Sequence, residues 1–379
     1  MQWLIWILAA LAALSLGIAL WQFLGALRFP LHQRIADPAF APGLSLLKPL
    51  KGCDTETARC LRSWLAQAYP GQVQVLFGVA NAADPVCSVV KQLLAEFPTK
   101  DAHLVICEEV MGVNAKVSTL IQLERRVRYD TVLVSDADVV VPEDFLANVV
   151  APLRDAKVGL VNCFYQLGNP VNLAMQWEAV AINADFWSQV LQSRNLKPLD
   201  FALGAVMLAR RDALTKMGGF AALADYLADD YQLGHQIAGQ GWRIELCPQV
   251  VECRESPMSA GQVWRHQLRW SRTIRVCQPV PYFFSILSNA TVWPVLLALA
   301  GQAPPYYAAL GICLTVRMLT ATILQWRLTR ASRHVPCFWL APIKDLLQAA
   351  IWALSFLGNT IEWRGHRYRV LPGGKLTPE

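Results

Sequence analysis

The stretch Thr131-Val132-Leu133-Val134-Ser135-Asp136-Ala137-Asp138 decides how this chain is read. A short Val/Leu run bounded by polar residues is too brief for a helix and reads as a strand buried on both faces. It runs straight into two carboxylates separated by one residue. In open α/β sheets ligands sit beyond the carboxyl ends of the strands, so Asp136 and Asp138 stand where chemistry is expected. Hard divalent cations take oxygen ligands and complete their shell with substrate phosphates. The pair therefore reads as a grip for Mg2+ or Mn2+ that in turn holds a diphosphate. The competing reading is a solvated turn or a cap for a helix near Pro142; the position directly behind a buried strand favours the cation.

Working outward, residues 43–278 switch repeatedly between β-rich runs and helical periodicity. Strands are expected at 44–47, 73–79, 103–107, 131–135, 158–163 and 206–209, and helices at 57–68, 84–97 and 116–127. Such alternation implies βαβ units and a mostly parallel sheet. Polar residues then fall at the strand ends. Lys48 follows the first strand and Lys116 follows the turn Gly112-Val113-Asn114; either lysine suits a phosphate as a point charge or is an ordinary loop or helix-start lysine. Asn81 and Asp84 follow the second strand. Asp84 before Pro85 makes a good N-cap, with a role beyond capping left open, while Asp54 reads as a cap. Asp229 and Asp230 open a helix, where the macrodipole favours acids, or supply a carboxylate that takes a proton from an attacking hydroxyl. In the cation-rich stretch 262–276, Arg265, Arg269 and Arg272 share a helix face with Trp264 and Trp270 interleaved. That face meets anionic lipid or closes over a diphosphate; composition leaves both open.

The chain has 379 residues with 34 Lys+Arg and 28 Asp+Glu, a net charge of +6; 54% of residues are hydrophobic and only 16% charged. This argues against a disordered chain, a disulfide scaffold and an ordinary soluble enzyme, and against a nucleic-acid partner, which calls for a more basic domain. Residues 3–24 form an uncharged run long enough for a hydrocarbon core of about 30 Å. No Lys or Arg precedes it, and Arg28 and Arg34 follow it, the pattern of a retained anchor whose C-terminal side is cytoplasmic rather than a cleaved signal. Apolar runs return at 283–301, 306–326 and 338–357. The second holds Arg317 and the third Lys344 and Asp345, groups costly at membrane depth, so the third is open to a re-entrant or interfacial placement. The basic loop Arg327, Arg330, Arg333 and the tail Arg364, Arg367, Arg369 both favour the cytoplasmic side, which leaves the number of full crossings open. The expected organisation is an anchor at 1–27, a cytoplasmic domain at 28–280 with an interfacial basic helix at 259–277, and membrane segments with a basic tail at 281–379. Ten cysteines without a C-x-x-C pair read as reduced thiols rather than a zinc site.

Taken in order, Lys48-Pro-Leu-Lys-Gly-Cys-Asp54, Phe77-Gly-Val-Ala-Asn-Ala-Ala-Asp84-Pro85, Gly112-Val-Asn-Ala-Lys116, Ser135-Asp-Ala-Asp138, Phe201-Ala-Leu-Gly-Ala-Val-Met207, Leu227-Ala-Asp-Asp-Tyr231, Leu268-Arg-Trp270 and the closing Trp363-Arg-Gly-His-Arg-Tyr-Arg369 resemble membrane-bound glycosyltransferases of families 2 and 21. The ceramide glucosyltransferases and their bacterial hopanoid-glycosylating relatives are the nearest likeness. The resemblance covers nearly the whole chain. It implies a GT-A fold, Rossmann-like with a mostly parallel sheet, one N-terminal and about three C-terminal membrane helices, and a multi-pass placement in a bacterial inner membrane. It also implies inverting transfer from a UDP-sugar to a lipid hydroxyl. Under it, Asp136 and Asp138 become the metal and diphosphate pair and Asp230 the catalytic base. His266, Arg269 and Trp270 fall on the (Q/R)xxRW motif, and Lys48, Asn81, Asp84, Lys116 and Asp136 on the nucleotide-sugar pocket. Two positions depart from the pattern: Asn81 stands where an aspartate is common, and His266 where Gln or Arg is usual. The implied acceptor is a hopanoid polyol with UDP-GlcNAc as donor; the alternative is ceramide with UDP-glucose, and a further one is a processive polysaccharide synthase. A non-enzymatic membrane scaffold would release no UDP in the presence of Mg2+ or Mn2+.

Overall fold

The period-2 alternation of side chains along the apolar strands buries both faces of one sheet. In the computed structural model, which describes residues 2–331, 337–363 and 366–378, that sheet has eight strands. They are β1 (Leu44–Leu50), β2 (Val73–Val79), β3 (Asp101–Ile106), β4 (Thr131–Ser135), β5 (Val139–Val140), β6 (Val158–Leu167), β7 (Val206–Arg210) and β8 (Arg243–Cys253), in the spatial order β3-β2-β1-β4-β7-β6-β8-β5. Strands β1 to β4, β6 and β8 run one way, and β7 and β5 are reversed. The sheet is thus mixed, parallel through its first half.

Strand β4 lies between β1 and β7, with Leu133 opposite Leu46 and Leu208. Its Val132 and Val134 enter the core on one face and Leu133 the core on the other, which is why every position in the run is apolar. Pro49 lies beyond the last β1–β4 pair, where a missing N–H interrupts no bond to β4. Helices α2 (Thr57–Leu65), α3 (Val86–Glu96), α4 (Ala115–Glu124) and α5 (Phe145–Val150) connect the first strands. Between β6 and β7, α6 (Leu173–Val180) passes through a π-helical stretch (Ala181–Phe186) into α7 (Trp187–Leu196). The Asn183 amide stitches this stretch to β6, accepting from Leu167 N (2.9 Å) and donating to Leu167 O (3.2 Å). Helices α8 (Arg211–Lys216) and α9 (Asp229–Gly239) flank the last strands.

The apolar ends form α1 (Gln2–Arg28), α10 (Ala260–Cys277), α11 (Pro279–Phe284), α12 (Val292–Gly301), α13 (Pro304–Thr329) and α14 (Leu340–Ser355). Helix α10 starts on a Ser259–Gln262 capping box and matches the expected basic helix. Among the described residues α1 and α13 are long and apolar enough to cross a membrane; the segment Pro279–Ser288 and α12 meet at a 53° bend and make at most one more span. The third expected C-terminal run becomes the 16-residue α14, so three C-terminal crossings are not established. Arg333 and Arg364 of the basic loop and tail lie outside the described residues.

The charges inside the second and third C-terminal apolar runs, Arg317, Lys344 and Asp345, are paired. Arg317 reaches Asp345 and Asp185 at 2.8 Å each, Lys344 contacts both acids, and Thr291 donates to Asp345 at 2.7 Å. Asp185 comes from the π-helical stretch, so this cluster joins the membrane helices to the sheet domain. Ala26, Ala321, Leu324, Leu328 and Leu340 also belong to the core on that face of the sheet. Trp3, Trp6, Ile312 and Leu319 are left exposed, an apolar surface suited to lipid. A three-stranded antiparallel sheet, β9 (Thr360–Trp363), β10 (His366–Val370) and β11 (Leu376–Pro378), closes the chain and packs through Ile361, Val370 and Leu376 on Leu227. All ten cysteines are free.

Candidate functional site

The turn after β4 is held from both sides. Asp136 N donates to Ala205 O (3.2 Å), Arg254 N donates to Asp138 O (2.9 Å), and Trp64 Nε1 donates to Val139 O (3.0 Å). Beneath it Lys48 is fully buried; its ammonium donates to Ser135 Oγ (3.2 Å) and to Asp136 O, and lies 5.0 Å from the Trp64 ring. Burial pulls this ammonium down to about 8, partly offset by Asp138.

The side chains of the turn meet Lys116 from the first turn of α4. Asn114 caps that helix, its Oδ1 accepting from Lys116 N (3.0 Å) and Val117 N (3.2 Å) while its Nδ2 donates to Tyr226 O (2.8 Å). Lys116 Nζ thereby sits 2.8 Å from Asp136 Oδ1 and 2.9 Å from Asp229 Oδ2. Burial opposes its charge, but Asp136 and Asp229 outweigh burial and hold the ammonium above its usual range. Asp229 and Asp230 start α9. Burial and the neighbouring Asp229 push the Asp230 carboxyl up to about 6, and Lys116 opposes them. Gly204 leaves room beside it: a Cβ there would lie 2.8 Å from Asp230 Oδ2, so the carboxylate would have to shift. Asp138 also rises to about 6, from burial and from Asp136.

Two carboxylates two residues apart, one of them raised by burial and then by its neighbour, are a donor set whose ionised form a hard divalent cation would favour. The residues present fit Mg2+ or Mn2+.

The expected site residues therefore gather unevenly. Lys48, Lys116, Asp136, Asp138 and Asp230 form one cluster. Asn81 and Asp84 lie two strands away, at the end of β2. Asn81 is exposed and its Oδ1 accepts from Ala83 N (2.8 Å). Asp84 carries the capping role, accepting from Val86 N (3.0 Å), and also binds Gly52 N through both oxygens (3.0 and 2.9 Å). His266, Arg269 and Trp270 sit on α10. The His266 ring lies 4.5 Å from that of Trp270, which packs on Leu167, Ala179 and Ile182. His266 Nδ1 is 2.7 Å from Glu178 Oε1. Burial, and then Glu178 and Asp138, push the Glu255 carboxyl up to about 8, and Arg269 opposes them. Arg272 and Arg275 of the basic face donate to the backbone of Thr360 and Gly358, tying α10 to the last sheet.

Sequence reasoning passes over Glu178 and Glu255. Glu255 follows β8, where the strand-end rule points once that strand is recognised; Glu178, inside α6, carries no local signal. The start of α9, which bears Asp230, is backed by the C-terminal segment: Leu227 N donates to Gly374 O (3.1 Å) and Gln232 Nε2 to Gly373 O (2.8 Å).

Comparison with known proteins agrees with this architecture. A mannosyltransferase of Pyrobaculum calidifontis, solved in complex with GDP-Man and Mn2+, superposes with a TM-score of 0.53 at 21% identity, covering 92% of this chain and 98% of its own; it supports the expected GT-A fold. "Ceramide glucosyltransferase 3" of Caenorhabditis elegans is 20% identical over 365 residues, 93% of this chain and 78% of the relative. The ceramide glucosyltransferase of Candida albicans is 31% identical over 150 residues, 36% of this chain and 27% of the relative. These names favour the ceramide alternative over the hopanoid reading. The model of glycosyl transferase family 21 matches residues 5–376. With that match running almost end to end over a GT-A sheet, the chain is a glycosyltransferase and belongs to glycosyl transferase family 21.

Proposed function

We propose that the protein transfers glucose from UDP-glucose to the primary hydroxyl of a ceramide-type lipid, with inversion at the anomeric carbon. The observation that carries this reading is the cluster in which Lys116 bridges Asp136 and Asp229 beside Asp230, in a domain joined to apolar helices by a shared core. The ceramide acceptor and the UDP-glucose donor rest on the relatives' names. Residues 1–27 would serve as the anchor and the domain at 28–280 would work at the cytoplasmic face of the membrane.

In this reading Asp136 and Asp138 hold a divalent cation, which when bound compensates charge on the departing diphosphate. Lys48 fixes the turn from below through the Asp136 carbonyl. Lys116 holds Asp136 and Asp229 in place. Asn81, Asp84 and the β2 end supply the nucleotide's base side, where an amide oxygen accepts from uracil N3–H. The acceptor hydroxyl attacks the anomeric carbon as Asp230 takes its proton, the bond from that carbon to the diphosphate oxygen breaks, and UDP leaves. His266, Arg269 and Trp270 on α10 line the acceptor and diphosphate side. The test is mass spectrometry of the lipid product after incubating the purified chain with UDP-glucose and ceramide in lipid nanodiscs. A ceramide monohexoside is expected. A product only with UDP-GlcNAc and a hopanoid polyol, or a polymer, would replace this reading.

A further inference from the structure

Glu178 on α6, Glu255 just after β8 and His266 on α10 bring one ligand atom each to within 4.8 Å of the others. Glu178 is fully buried. Its Oε1 accepts from Gln267 Nε2 at 2.9 Å, yet its Oε2 is buried without a partner, as is Glu255 Oε2. His266 Nδ1 lies 2.7 Å from Glu178 Oε1 but lacks the alignment of a hydrogen bond. Two atoms this close that do not point at one another, with two orphaned carboxylate oxygens beside them, are the arrangement expected when all of them address a common centre. Buried carboxylate oxygens without partners are costly, and a shared cation would take one ligand atom from each of the three side chains. A proton shared between the two glutamates would leave the His266 nitrogen misaligned.

We propose that Glu178, Glu255 and His266 form a second divalent-cation site, separate from Asp136 and Asp138, that takes Zn2+ or a similar borderline cation. The donor set is one imidazole nitrogen and two carboxylates without thiolate, which suits zinc or manganese better than magnesium or calcium. The Gln267 amide on Glu178 Oε1 is the outer hydrogen bond that orients a ligating carboxylate. The site ties α6, α10 and the segment after β8 together, and through the His266 ring it fixes the neighbouring Trp270. It does not depend on the identity of the sugar or the acceptor.

The test uses the full chain in detergent, stripped with chelator, carrying Asp136→Asn and Asp138→Asn to remove the other cation pair. Titrated with Zn2+ alone and measured by calorimetry and elemental analysis, this background is expected to bind about one equivalent. Adding Glu178→Gln or Glu255→Gln is expected to weaken binding by about tenfold or more. Co2+ substituted into the chain with Glu178, Glu255 and His266 intact is expected to give a visible absorption band with a nitrogen ligand, altered by His266→Gln. Glu255 is partly exposed, so Glu255→Gln and the Co2+ spectrum keep the test decisive if Glu178→Gln fails to fold. A folded Asp136→Asn/Asp138→Asn chain that binds no Zn2+, or whose Zn2+ binding is indifferent to Glu255→Gln, overturns the proposal.

Discussion

Replacing Lys116 by Met removes the one ammonium that bridges Asp136 and Asp229, at 2.8 and 2.9 Å. Breaking a buried ion pair by deleting one partner costs about 3–5 kcal/mol, because the other charge is left uncompensated. The Lys116 and Asp229 side chains are each only 11% exposed, but Asp136 is 39% exposed and solvent screens that half of the bridge. The lower end, about 3 kcal/mol, is therefore expected. At about 2–4 °C per kcal/mol for a domain of this size, Tm falls by about 6–12 °C. The deficit also depends on pH. Lys116 holds down the carboxyls of Asp138 and Asp230, both already raised to about 6, so its loss raises them further. Groups with folded pKa values above the unfolded ones favour the fold at low pH and oppose it as pH rises through the folded value. The deficit should accordingly be larger at pH 8 than at pH 5. The assay is thermal unfolding of the detergent-solubilised chain, followed by tryptophan fluorescence at both pH values in the presence of chelator. A Tm within about 2 °C of the unsubstituted chain, or a deficit equal at both pH values, refutes the reasoning.

Two further outcomes follow from the same geometry. The Asp230 carboxyl near 6 must be ionised to accept a proton, so kcat/KM should fall about tenfold per pH unit on the acid side of that value; a profile flat down to pH 4.5 contradicts this. At Gly234 a Cβ would lie 2.3 Å from Ala202 N and 2.4 Å from Phe201 C, backbone atoms that cannot swing aside. Gly234→Ala should displace α9 with its Asp230, destabilise the fold by about 1–3 kcal/mol and lower kcat more than UDP affinity, as measured by turnover and calorimetry.

What could be read from the sequence follows from how local each signal is. Strand β4 is found residue for residue because burial on both faces leaves an uninterrupted apolar run with acids at its end. Helix α10 is legible from its cation spacing, whereas its Ser259–Gln262 capping box is found in the structure. Strand β8 is not, because Glu245, Pro248 and Gln249 break its apolar pattern; it forms through its long pairing with β6. The three C-terminal strands are short and charged, and they exist through contacts with Leu227 and α10 that no local pattern announces. The reading of Lys48 as a phosphate contact rests on its place after a strand; the structure puts it inside β1, beneath the turn. Asp84 does serve as the expected cap, and its second bond to Gly52 is a tertiary contact. Of the charges in the membrane runs that argue against three simple crossings, Arg317 and Lys344 pair with Asp345 and also with Asp185, 132 residues from Arg317 in sequence.

The most direct test of the central claim is the Asp230→Asn substitution, which keeps the shape of the side chain and removes its basicity. Transfer of glucose to ceramide in nanodiscs and UDP binding by calorimetry are measured on the same preparation. Transfer is expected to fall by about 100-fold or more while UDP binding stays close to that of the unsubstituted chain. Near-normal turnover in this variant would contradict the assignment of Asp230 as the base.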